Sequence, residues 1–306
     1  MTSADSVAIA LRDLTKQYSR TVAVRGLTLE VRAGETFGFL GLNGAGKTTT
    51  IRILLDLLRP TAGRAAVFGL DCQADGLAVR AAIGYLPGEI AFYQDMTGRQ
   101  LLDLLARLSL SPVLRDYQHQ LLDRFQLMAG DLARRLREYS TGMKRKLGIV
   151  QAFQADPMLL ILDEPTEGLD PLMQEAFYAL LAEVHGRGRT VFMSSHVLSE
   201  VERTCGRIAV LRKGELVLVA PVEEVRHLAP RRVQVMFAAD VPPPPAIPPT
   251  RALELTSVRP RCWSFSVRGP LGPLLARVSA MPVADLTVEE PRLEDVVIDY
   301  YREQPR

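Results

Sequence analysis

Apolar and polar positions alternate near the start of the chain in the pattern of short β-strands. Residues 7–18 and 21–31 show this alternation and predict two strands that form an antiparallel pair. Three later apolar runs, at residues 37–40, 158–162 and 190–193, are continuous instead. Continuous runs of this length are typical of strands buried on both faces of a parallel sheet. The pattern therefore predicts a mainly parallel sheet and an antiparallel β subdomain.

Helical spacing of the apolar positions follows the first of these continuous runs. Apolar residues between Ile51 and Leu58 share one helical face, and Pro60 ends the pattern. A longer helical pattern covers residues 98–136, from which we expect a helical insert over about residues 88–140. Strands that alternate with helices in this way predict a three-layer α/β domain around a mainly parallel sheet.

The last third of the chain has the pattern of a hairpin followed by a smaller domain. Apolar residues 207–211 and 216–219 flank a turn that contains Gly214, which predicts a β-hairpin. We place the main domain at residues 1–228 and a small C-terminal α/β domain at residues 229–306. In the small domain we expect strands at residues 232–237 and 262–267, and helices at residues 271–280 and 291–301.

A proline-rich segment lies inside the predicted small domain. Residues 242–249 contain six prolines, and proline lacks the N–H group that a central strand or a helix interior needs. We expect a stiff, exposed loop at this segment. A docking motif for a proline-binding partner is the alternative.

Composition restricts the classes of function. The chain has 306 residues, of which 47% are apolar, which suffices for a folded core. Its net charge of +2 is too small to indicate nucleic-acid binding, so we expect no nucleic-acid partner. Cys72, Cys205 and Cys262 lack metal-ligand spacing, which favours a reduced cytosol. With no secretory signal pattern and no apolar run of the roughly 18–20 residues that a membrane helix needs, we expect a protein that does not span the bilayer.

A glycine-rich segment lies between the strand at residues 37–40 and the helix that follows. It consists of Gly41, Leu42, Asn43, Gly44, Ala45, Gly46, Lys47 and Thr48, with Thr49 next. This is the phosphate-binding pattern of glycine, four free positions, glycine, lysine, and serine or threonine. In such a loop the backbone N–H groups converge on phosphate oxygens, and the helix N-terminus favours negative charge. Lys47 can reach the β- and γ-phosphates, and the Thr48 hydroxyl can bind Mg²⁺. A plain glycine turn is the alternative, but the strand and helix on either side favour a nucleoside triphosphate site.

Four further elements follow this loop in the order of the chain. A Tyr-Ser-Thr-Gly-Met segment at residues 139–143 precedes a helical run, and Asp163 and Glu164 end the apolar strand. A Gly-Leu-Asp segment ending at Asp170 comes next, and His196 follows the strand at residues 190–193. In order and content these elements resemble the nucleotide-binding domain of ATP-binding cassette (ABC) proteins. The resemblance covers residues 7 to about 221 and implies a P-loop ATPase that hydrolyses ATP with Mg²⁺.

The resemblance implies a role for each residue of the site. Tyr18 lies where the family has an aromatic ring that stacks on adenine, although an aromatic residue that closes a strand is the alternative. Asp163 would hold Mg²⁺, usually through water, together with Thr48. Glu164 would orient and deprotonate the attacking water, with an ordinary helix N-cap as the alternative. His196 would contact the γ-phosphate and link it to the water, with a structural histidine after a strand as the alternative.

In this family the segment after the helical insert acts on a second molecule. Ser140, Thr141 and Gly142 would cap the γ-phosphate of ATP that the opposite subunit holds, and Asp170 would lie across the same interface. The chain has one phosphate loop and one such segment. The resemblance therefore implies that two ATP molecules lie between this chain and a second copy of itself or a related ATPase subunit.

Two positions depart from the family pattern. In the family the capping segment usually reads Leu-Ser-Gly-Gly-Gln. This chain has Tyr-Ser-Thr-Gly-Met there, which keeps the serine and the second glycine. After the Ile-Gly-Tyr-Leu-Pro segment at residues 83–87 the family usually has a glutamine that touches Mg²⁺ or water. This chain has Gly88 there, followed by Glu89. Glu89 could substitute for the glutamine in part, but we favour a flexible hinge at Gly88.

Finer features resemble the ATPase subunits of drug- and antibiotic-export ABC transporters. These features are the Tyr-Ser-Thr-Gly-Met segment and the tail from Leu293 to Tyr301. They imply a subunit that is peripheral on the cytoplasmic side of the membrane and powers export through a separate integral membrane permease. The permease would dock near residues 88–97 and the helical insert. An importer, a lipid or polysaccharide exporter, and a soluble ABC ATPase acting on DNA or ribosomes are the alternatives.

Overall fold

The computed structural model describes residues 6–228, 230–242, 253–289, 293–294 and 296–297. The chain divides into two compact units, Met1–Ala220 and Pro221–Arg306. The assignment of domains at residues 1–228 and 229–306 stays a prediction, and its boundary falls within the second of these units.

Ten strands and eight helices of the described chain begin in the first unit. The strands are β1 (Val7–Tyr18), β2 (Thr21–Arg32), β3 (Thr36–Gly41), β4 (Ala62–Val67), β5 (Leu70–Asp71), β6 (Ile83–Leu86), β7 (Leu159–Asp163), β8 (Thr190–Ser195), β9 (Arg207–Arg212) and β10 (Glu215–Pro221). The helices are α1 (Lys47–Leu54), α2 (Gly76–Ala81), α3 (Gly98–Leu108), α4 (Arg115–Arg124), α5 (Ala129–Ala133), α6 (Thr141–Phe153), α7 (Pro171–Gly186) and α8 (Leu198–Thr204).

The strands of the first unit form two sheets. The larger has the order β10-β9-β3-β8-β7-β6, and the pairs from β9 to β6 are all parallel. The smaller has the order β2-β1-β4-β5 and is antiparallel. This arrangement confirms the predicted α/β fold with a mainly parallel core and an antiparallel β subdomain. The predicted hairpin turns at Lys213 and Gly214, whose positive φ angles of 50° and 85° fit a type I′ turn.

The central strands are buried, and part of their apolar surface packs in one core with the antiparallel sheet and α1. All residues of β3, β7 and β8 are buried. The rings of Phe37 and Phe192 stack at 6.0 Å between centroids, and that of Phe39 lies 5.0 Å from Phe192. Continuous apolar strands therefore place their last residues at one edge of the sheet, where the candidate site lies.

The first helix is shorter than its apolar pattern predicts. Helix α1 ends at Leu54, whereas the pattern predicted a helix as far as Pro60. Asp56 adopts a left-handed φ of 54°, and the N–H groups of Leu57 and Leu58 both donate to the Arg52 carbonyl. Aspartate tolerates this conformation better than most residues, so it closes the helix. Leu58 still packs against the core, from outside the helix.

The predicted helical insert contains α3, α4 and α5 and a short 3₁₀ turn at Leu136–Glu138. Helix α3 begins with a capping box, in which Thr97 accepts from the Gln100 N–H and the Gln100 side chain accepts from the Thr97 N–H. This box satisfies two of the N–H groups that lack partners at a helix start.

The second unit has its own sheet and core. After α9 (Val222–Leu228) come β11 (Arg231–Phe237), β12 (Leu253–Arg259), β13 (Cys262–Val267), α10 (Gly272–Val278) and β14 (Val283–Glu289). The sheet is antiparallel in the order β12-β13-β11-β14. The rings of Phe237 and Trp263 meet edge to face at 4.9 Å in its core. Strands β11 and β13 and helix α10 were predicted; β12 and β14 were not.

Two predictions for the second unit fall largely on residues outside the described part of the chain. The proline-rich segment at residues 242–249 is described only at Pro242, and the predicted helix at residues 291–301 only at residues 293–294 and 296–297. Within the described residues, no helix combines the length and the apolar character that crossing a membrane requires.

Candidate active site

A cavity of about 540 Å³ opens at the carboxyl edge of the parallel sheet. The whole glycine-rich segment from Leu42 to Thr49 lines it, together with Asp163 and Glu164 at the end of β7. The remaining lining residues are Ala23, Arg52, Tyr85, Pro87, Gly88, Glu89 and Glu167. Its volume is that of a typical small-ligand pocket, and its position at strand ends is where open α/β sheets bind ligands.

The glycine-rich segment needs its glycines for its backbone path. Gly44 and Gly46 have positive φ angles of 79° and 107°, which other residues rarely adopt. A Cβ on Gly46 would lie 2.5 Å from the Ala23 carbonyl oxygen. The segment then enters α1 at Lys47, so the N–H groups of the first helical turn face the cavity without helical partners.

Lys47 is a buried cation at the base of this cavity, with 6% of its side chain exposed. Its Nζ donates to the Gly41 carbonyl oxygen at 2.5 Å and lies 3.3 Å from Glu164 Oε1. The ammonium group is therefore held at the point where the loop and the end of β7 meet.

Thr48 and Asp163 bring two oxygen ligands together beside Lys47. The Thr48 hydroxyl donates to Asp163 Oδ2 at 3.1 Å, and the Ser194 hydroxyl donates to Asp163 Oδ1. A hydroxyl and a carboxylate are hard ligands of the kind that Mg²⁺ takes alongside phosphate and water. The described residues contain no group of three or more histidine, cysteine or acidic side chains able to hold a metal ion. The hydroxyl and the carboxylate fit an Mg²⁺ that would take its other ligands from a nucleotide and water.

Glu164 lies between two basic groups. Its backbone has a positive φ of 49°, and its N–H donates to the Ser194 carbonyl oxygen at 3.1 Å. Its Oε2 lies 2.8 Å from His196 Nδ1 and accepts from the His196 N–H at 3.3 Å, while Oε1 faces Lys47. An ionised carboxylate only accepts, so Nδ1 is the donor and Nε2 of a neutral ring is free to accept. Both carboxylate oxygens therefore have a partner in this structure, and the proton-accepting role predicted for Glu164 stays a prediction.

Other predicted site residues lie outside the lining of this cavity. Tyr18 is at the end of β1, 45% exposed, with Lys16 Nζ 5.2 Å from its ring centroid. Ser140 caps α6 by accepting from the Met143 N–H at 3.2 Å, and Asp170 caps α7 by accepting from the Met173 N–H at 2.9 Å. The roles predicted for these residues stay predictions.

Gly142 and Gly168 pack the segment that starts α6 against the segment that precedes α7. A Cβ on Gly142 would lie 2.9 Å from the Gly168 carbonyl oxygen, and a Cβ on Gly168 would lie 3.2 Å from Thr141 Cγ2. Residues 140–142 and 168–170 are therefore neighbours within one subunit.

The position of the missing glutamine lies directly beside the carboxylate of Asp163. A Cβ on Gly88 would lie 3.3 Å from Asp163 Oδ2. Glu89 is exposed and lines the cavity. Tyr85, which the sequence did not single out, also lines it, and burial together with the charge of Asp163 raises the pKa of its hydroxyl to about 12. Tyr85 therefore stays neutral next to the predicted metal-binding residues.

A buried glutamate supports the loops that carry Glu164 and His196. Glu200 on α8 is 8% exposed, accepts from the Thr166 hydroxyl, and accepts from the Ser195 hydroxyl at 3.1 Å. Thr166 follows Glu164 by two residues and Ser195 precedes His196, so one carboxylate ties both segments together. The sequence offers little signal for Glu200, because its partners are far from it in the chain or on the preceding strand.

Comparisons with known proteins identify the family of this chain. A family model described as "ABC transporter" matches residues 24–167. An uncharacterized ABC transporter ATP-binding protein of Nostoc sp. is 39% identical over 223 residues, covering 70% of this chain and 66% of that protein. The bacitracin transport ATP-binding protein BcrA of Bacillus licheniformis is 35% identical over 228 residues, covering 72% of each. The daunorubicin resistance ATP-binding protein DrrA3 of Streptomyces coeruleorubidus is 37% identical over 222 residues, covering 72% of this chain and 70% of that protein.

Solved structures of ATP-binding cassettes have the same fold. The structure of an ATP-binding subunit of an ABC transporter matches with a TM-score of 0.66 and 31% identity, covering 72% of this chain and 92% of that one. A dimeric ATP-binding cassette bound to ADP and Pi matches with a TM-score of 0.64 at 21% identity, covering 70% and 98%. By its relatives, this chain belongs to the ATP-binding, ATP-hydrolysing proteins of the ABC transporter family, which include proteins named for bacitracin transport and daunorubicin resistance.

Proposed function

We propose that this chain dimerises on ATP and powers the export of a drug-like or hydrophobic compound through a separate membrane permease. The observation that carries the catalytic part is the position of Glu164, whose two carboxylate oxygens face Lys47 at 3.3 Å and His196 at 2.8 Å. Relatives named for bacitracin transport and daunorubicin resistance support export as the process. The subunit would lie on the cytoplasmic side of the membrane, held there by the permease.

Five side chains at the site, and the N–H groups of the glycine-rich segment, have a defined task in this proposal. Lys47 and the N–H groups of the glycine-rich segment bind the β- and γ-phosphates. Thr48 and Asp163 hold Mg²⁺, which neutralises phosphate charge when bound. Because Lys47 also pairs with Glu164, an incoming phosphate competes for the ammonium group and leaves Oε1 free for a water. Glu164 then takes a proton from that water, and His196 Nδ1 holds the carboxylate in place.

The second ATP-binding surface of the proposal is the pair of neighbouring segments at residues 140–142 and 168–170. Ser140 and Asp170 each cap a helix and lie outside the lining of the cavity. The N–H groups at the start of α6, next to Ser140, can bind a phosphate group of the ATP that another subunit holds. A second copy of this chain, or a related ATPase subunit, would thus complete each site.

The permease would dock on the surface near residues 88–97. Tyr93 in this segment is 69% exposed, and Ile90 packs near Gly148 of α6, where a Cβ would lie 2.8 Å from Ile90 Cδ1. An exposed aromatic residue on a segment that starts at the cavity suits a contact that responds to nucleotide.

A second cargo class has support from one further relative. The Nod factor export ATP-binding protein I of Neorhizobium galegae is 37% identical over 222 residues, covering 72% of this chain and 63% of that protein. It supports export as the direction and a Nod factor as the alternative cargo to a drug-like compound. Measuring ATPase stimulation of the subunit with its permease by each cargo class separates the two.

The Glu164→Gln variant tests the proposal. The amide cannot take a proton, so turnover falls by roughly 10²–10⁴ while ATP binding is kept. With ATP and Mg²⁺, size exclusion with light scattering is expected to give a stable dimer for the variant. Glu30→Gln, an exposed position on β2 far from the cavity, serves as the charge-matched control. A variant that binds ATP but stays strictly monomeric would contradict the proposed dimer.

A further inference from the structure

Arg145 is a buried arginine whose guanidinium binds three main-chain carbonyl groups. It lies on the second turn of α6 and is 4% exposed. Its Nη1 donates to the Pro87 oxygen at 2.8 Å and its Nη2 donates to the Gly88 oxygen at 2.6 Å. Its Nε donates to the Glu167 oxygen at 3.1 Å. One planar group therefore joins α6, the turn after β6 and the turn after β7.

Packing alone does not account for a charged residue at this position. Burial lowers the pKa of Arg145, and the nearby carboxylates of Glu167, Asp163 and Glu164 oppose that effect. An arginine stays charged in proteins, so its burial carries a desolvation cost that an apolar side chain of similar size avoids. The compensation comes from the three carbonyl groups, which fix the backbone rather than fill space, and from the Glu167 carboxylate, whose Oε2 lies 3.8 Å from Nη2.

The turn that Arg145 holds lies against the predicted metal-binding carboxylate. Gly88 has no side chain with which to contact Asp163, and its Cα is close enough that a Cβ would lie 3.3 Å from Oδ2. The position of this turn is therefore set through its carbonyl groups. Arg145 donates to the Gly88 carbonyl and to the one before it.

Arg145 lies on the helix that follows one of the segments that we assign to the partner's ATP, and it bonds to the residue before the other. Helix α6 begins directly after Ser140, and Glu167 directly precedes Gly168 of the neighbouring segment. A movement of either segment therefore changes the hydrogen bonds that hold Gly88 beside Asp163. Bonds between rigid elements can transmit a change in this way when the elements have two arrangements.

We propose that Arg145 is a positioning residue that fixes the Pro87–Gly88 turn against Asp163 and ties it to the helix that begins at Ser140. Gly88 has no side chain that could contact Asp163. The hydrogen bonds from Arg145 to the backbone carbonyl groups hold the turn in place instead. The inference rests on the proposed role of Asp163 in holding Mg²⁺, and the experiment below separates the two.

The test measures how ATP binding depends on Mg²⁺ in Arg145→Met and Arg145→Lys. Methionine has a similar length without charge, whereas lysine keeps the charge but lacks the planar fork that binds several carbonyl groups. ATP affinity is measured in EDTA and across a Mg²⁺ titration, alongside the thermal midpoint of unfolding. For Arg145→Met we expect unchanged affinity in EDTA and a Mg²⁺ requirement raised by about 10-fold, as for the loss of a group that orients a metal ligand. The Mg²⁺ requirement of Arg145→Lys should lie between those of Arg145→Met and the original protein.

Arg207 provides the matched control. It is also a largely buried arginine, donates twice to Glu35 at 2.8 and 3.1 Å, and stacks on Phe37 at 5.3 Å, away from the cavity. Arg207→Met should lower the thermal midpoint and leave the Mg²⁺ requirement unchanged. If Arg145→Met behaves like Arg207→Met, with lower stability but the original Mg²⁺ requirement, the inference is overturned.

Two further variants keep the result interpretable. Asp163→Asn should itself raise the Mg²⁺ requirement; if it does not, the proposed metal role of Asp163 fails, and the inference fails with it. If Asp163→Asn raises the Mg²⁺ requirement but folded Arg145→Lys has the same Mg²⁺ requirement as the original protein, the inference alone fails. A cycle of Arg145→Lys with Gly88→Ala should be non-additive, because both act on one turn; additive effects would overturn the inference even if Arg145→Met did not fold.

Discussion

Lys47 and Glu164 share one ion pair at the base of the cavity, so the state of each depends on the other. The pair is 3.3 Å long and both side chains are mostly buried, at 6% and 17% exposed. An ion pair with little access to water is costly to break on one side only, because the remaining charge loses its partner. In the proposed mechanism a bound triphosphate would replace Glu164 as the partner of Lys47 and leave His196 as the hydrogen-bond donor to Glu164. ATP binding would therefore decide whether Glu164 Oε1 is free to contact a water.

Lys47→Ala tests the role of the loop at the scale of one residue. Loss of a charge-assisted hydrogen bond costs about 1.5–3 kcal/mol, so ATP affinity should fall by roughly 10–100-fold. Equilibrium dialysis with labelled ATP measures it. Lys146→Ala, which removes a charge from α6 outside the lining of the cavity, should bind as the original protein does. Equal affinities for the two variants would refute the phosphate role of Lys47.

Motifs with fixed spacing were sufficient to find the residues that touch one another in the site. The loop from Gly41 to Thr48, the Asp163–Glu164 pair and His196 each follow a buried strand, so parallel strand ends bring them together. Arg145 was not found, since its partners are carbonyl groups of distant turns. The one available signal was its place on the stripe that also contains Ile149 and Ala152, both of which are buried. A cation on an apolar helical stripe indicates a buried polar contact.

At the scale of elements, strands with strong contrast between apolar and polar positions were predictable. Strands β12 and β14 were missed because most of their residues are at least partly exposed, which leaves little contrast. Strand β5 has only two residues, which are too few to show an alternation of apolar and polar positions. The end of α1 was also missed, because a left-handed aspartate rather than the apolar pattern decides it.

Strand β6 and helix α6 meet at Gly84, which gives a prediction at the scale of elements. A Cβ there would lie 2.1 Å from the Ala152 carbonyl oxygen and 2.6 Å from Pro157 Cγ. Gly84→Ala must therefore push β6 away from α6, at a cost of about 1–3 kcal/mol of unfolding free energy. The shift should also disturb the Pro87–Gly88 turn that follows β6 and raise the Mg²⁺ requirement.

Urea unfolding compares Gly84→Ala with a control on another helix. Gly130 lies in α5 with nothing within 4 Å of an added Cβ, so Gly130→Ala should be neutral or more stable by up to about 1 kcal/mol. If Gly84→Ala is as stable as Gly130→Ala, then the close packing of β6 on α6 is not present in solution.

At the scale of the whole molecule, every residue proposed for ATP lies in the first unit, Met1–Ala220. The second unit has a separate core, in which Trp263 meets Phe237 and Phe265. The stability of the catalytic part can therefore be followed through groups that belong to the first unit alone. Cys72 and Cys205 are two such groups, and both are buried.

The buried thiols predict that the first unit loses stability in alkali. Burial raises the pKa of Cys72 from 9.0 to about 12, and it also raises the pKa of Cys205. A raised acid pKa means that between these values the unfolded chain releases a proton that the folded one keeps. The contribution is complete below pH 9 and is lost as the pH rises towards 12. At pH 10.5 the loss from Cys72 is about 2 kcal/mol.

Cys72→Ala isolates this contribution. The variant loses some packing at every pH, because Cys72 belongs to the main core, but it has no thiol to ionise. Urea unfolding at pH 8 and pH 10.5 should therefore show a smaller drop in stability for the variant than for the original protein, by about 2 kcal/mol. Since Tyr85 has its pKa raised to about 12 beside Asp163, part of the drop should remain in the variant. Equal drops in both proteins would mean that Cys72 ionises without unfolding, and would contradict the prediction drawn from its complete burial.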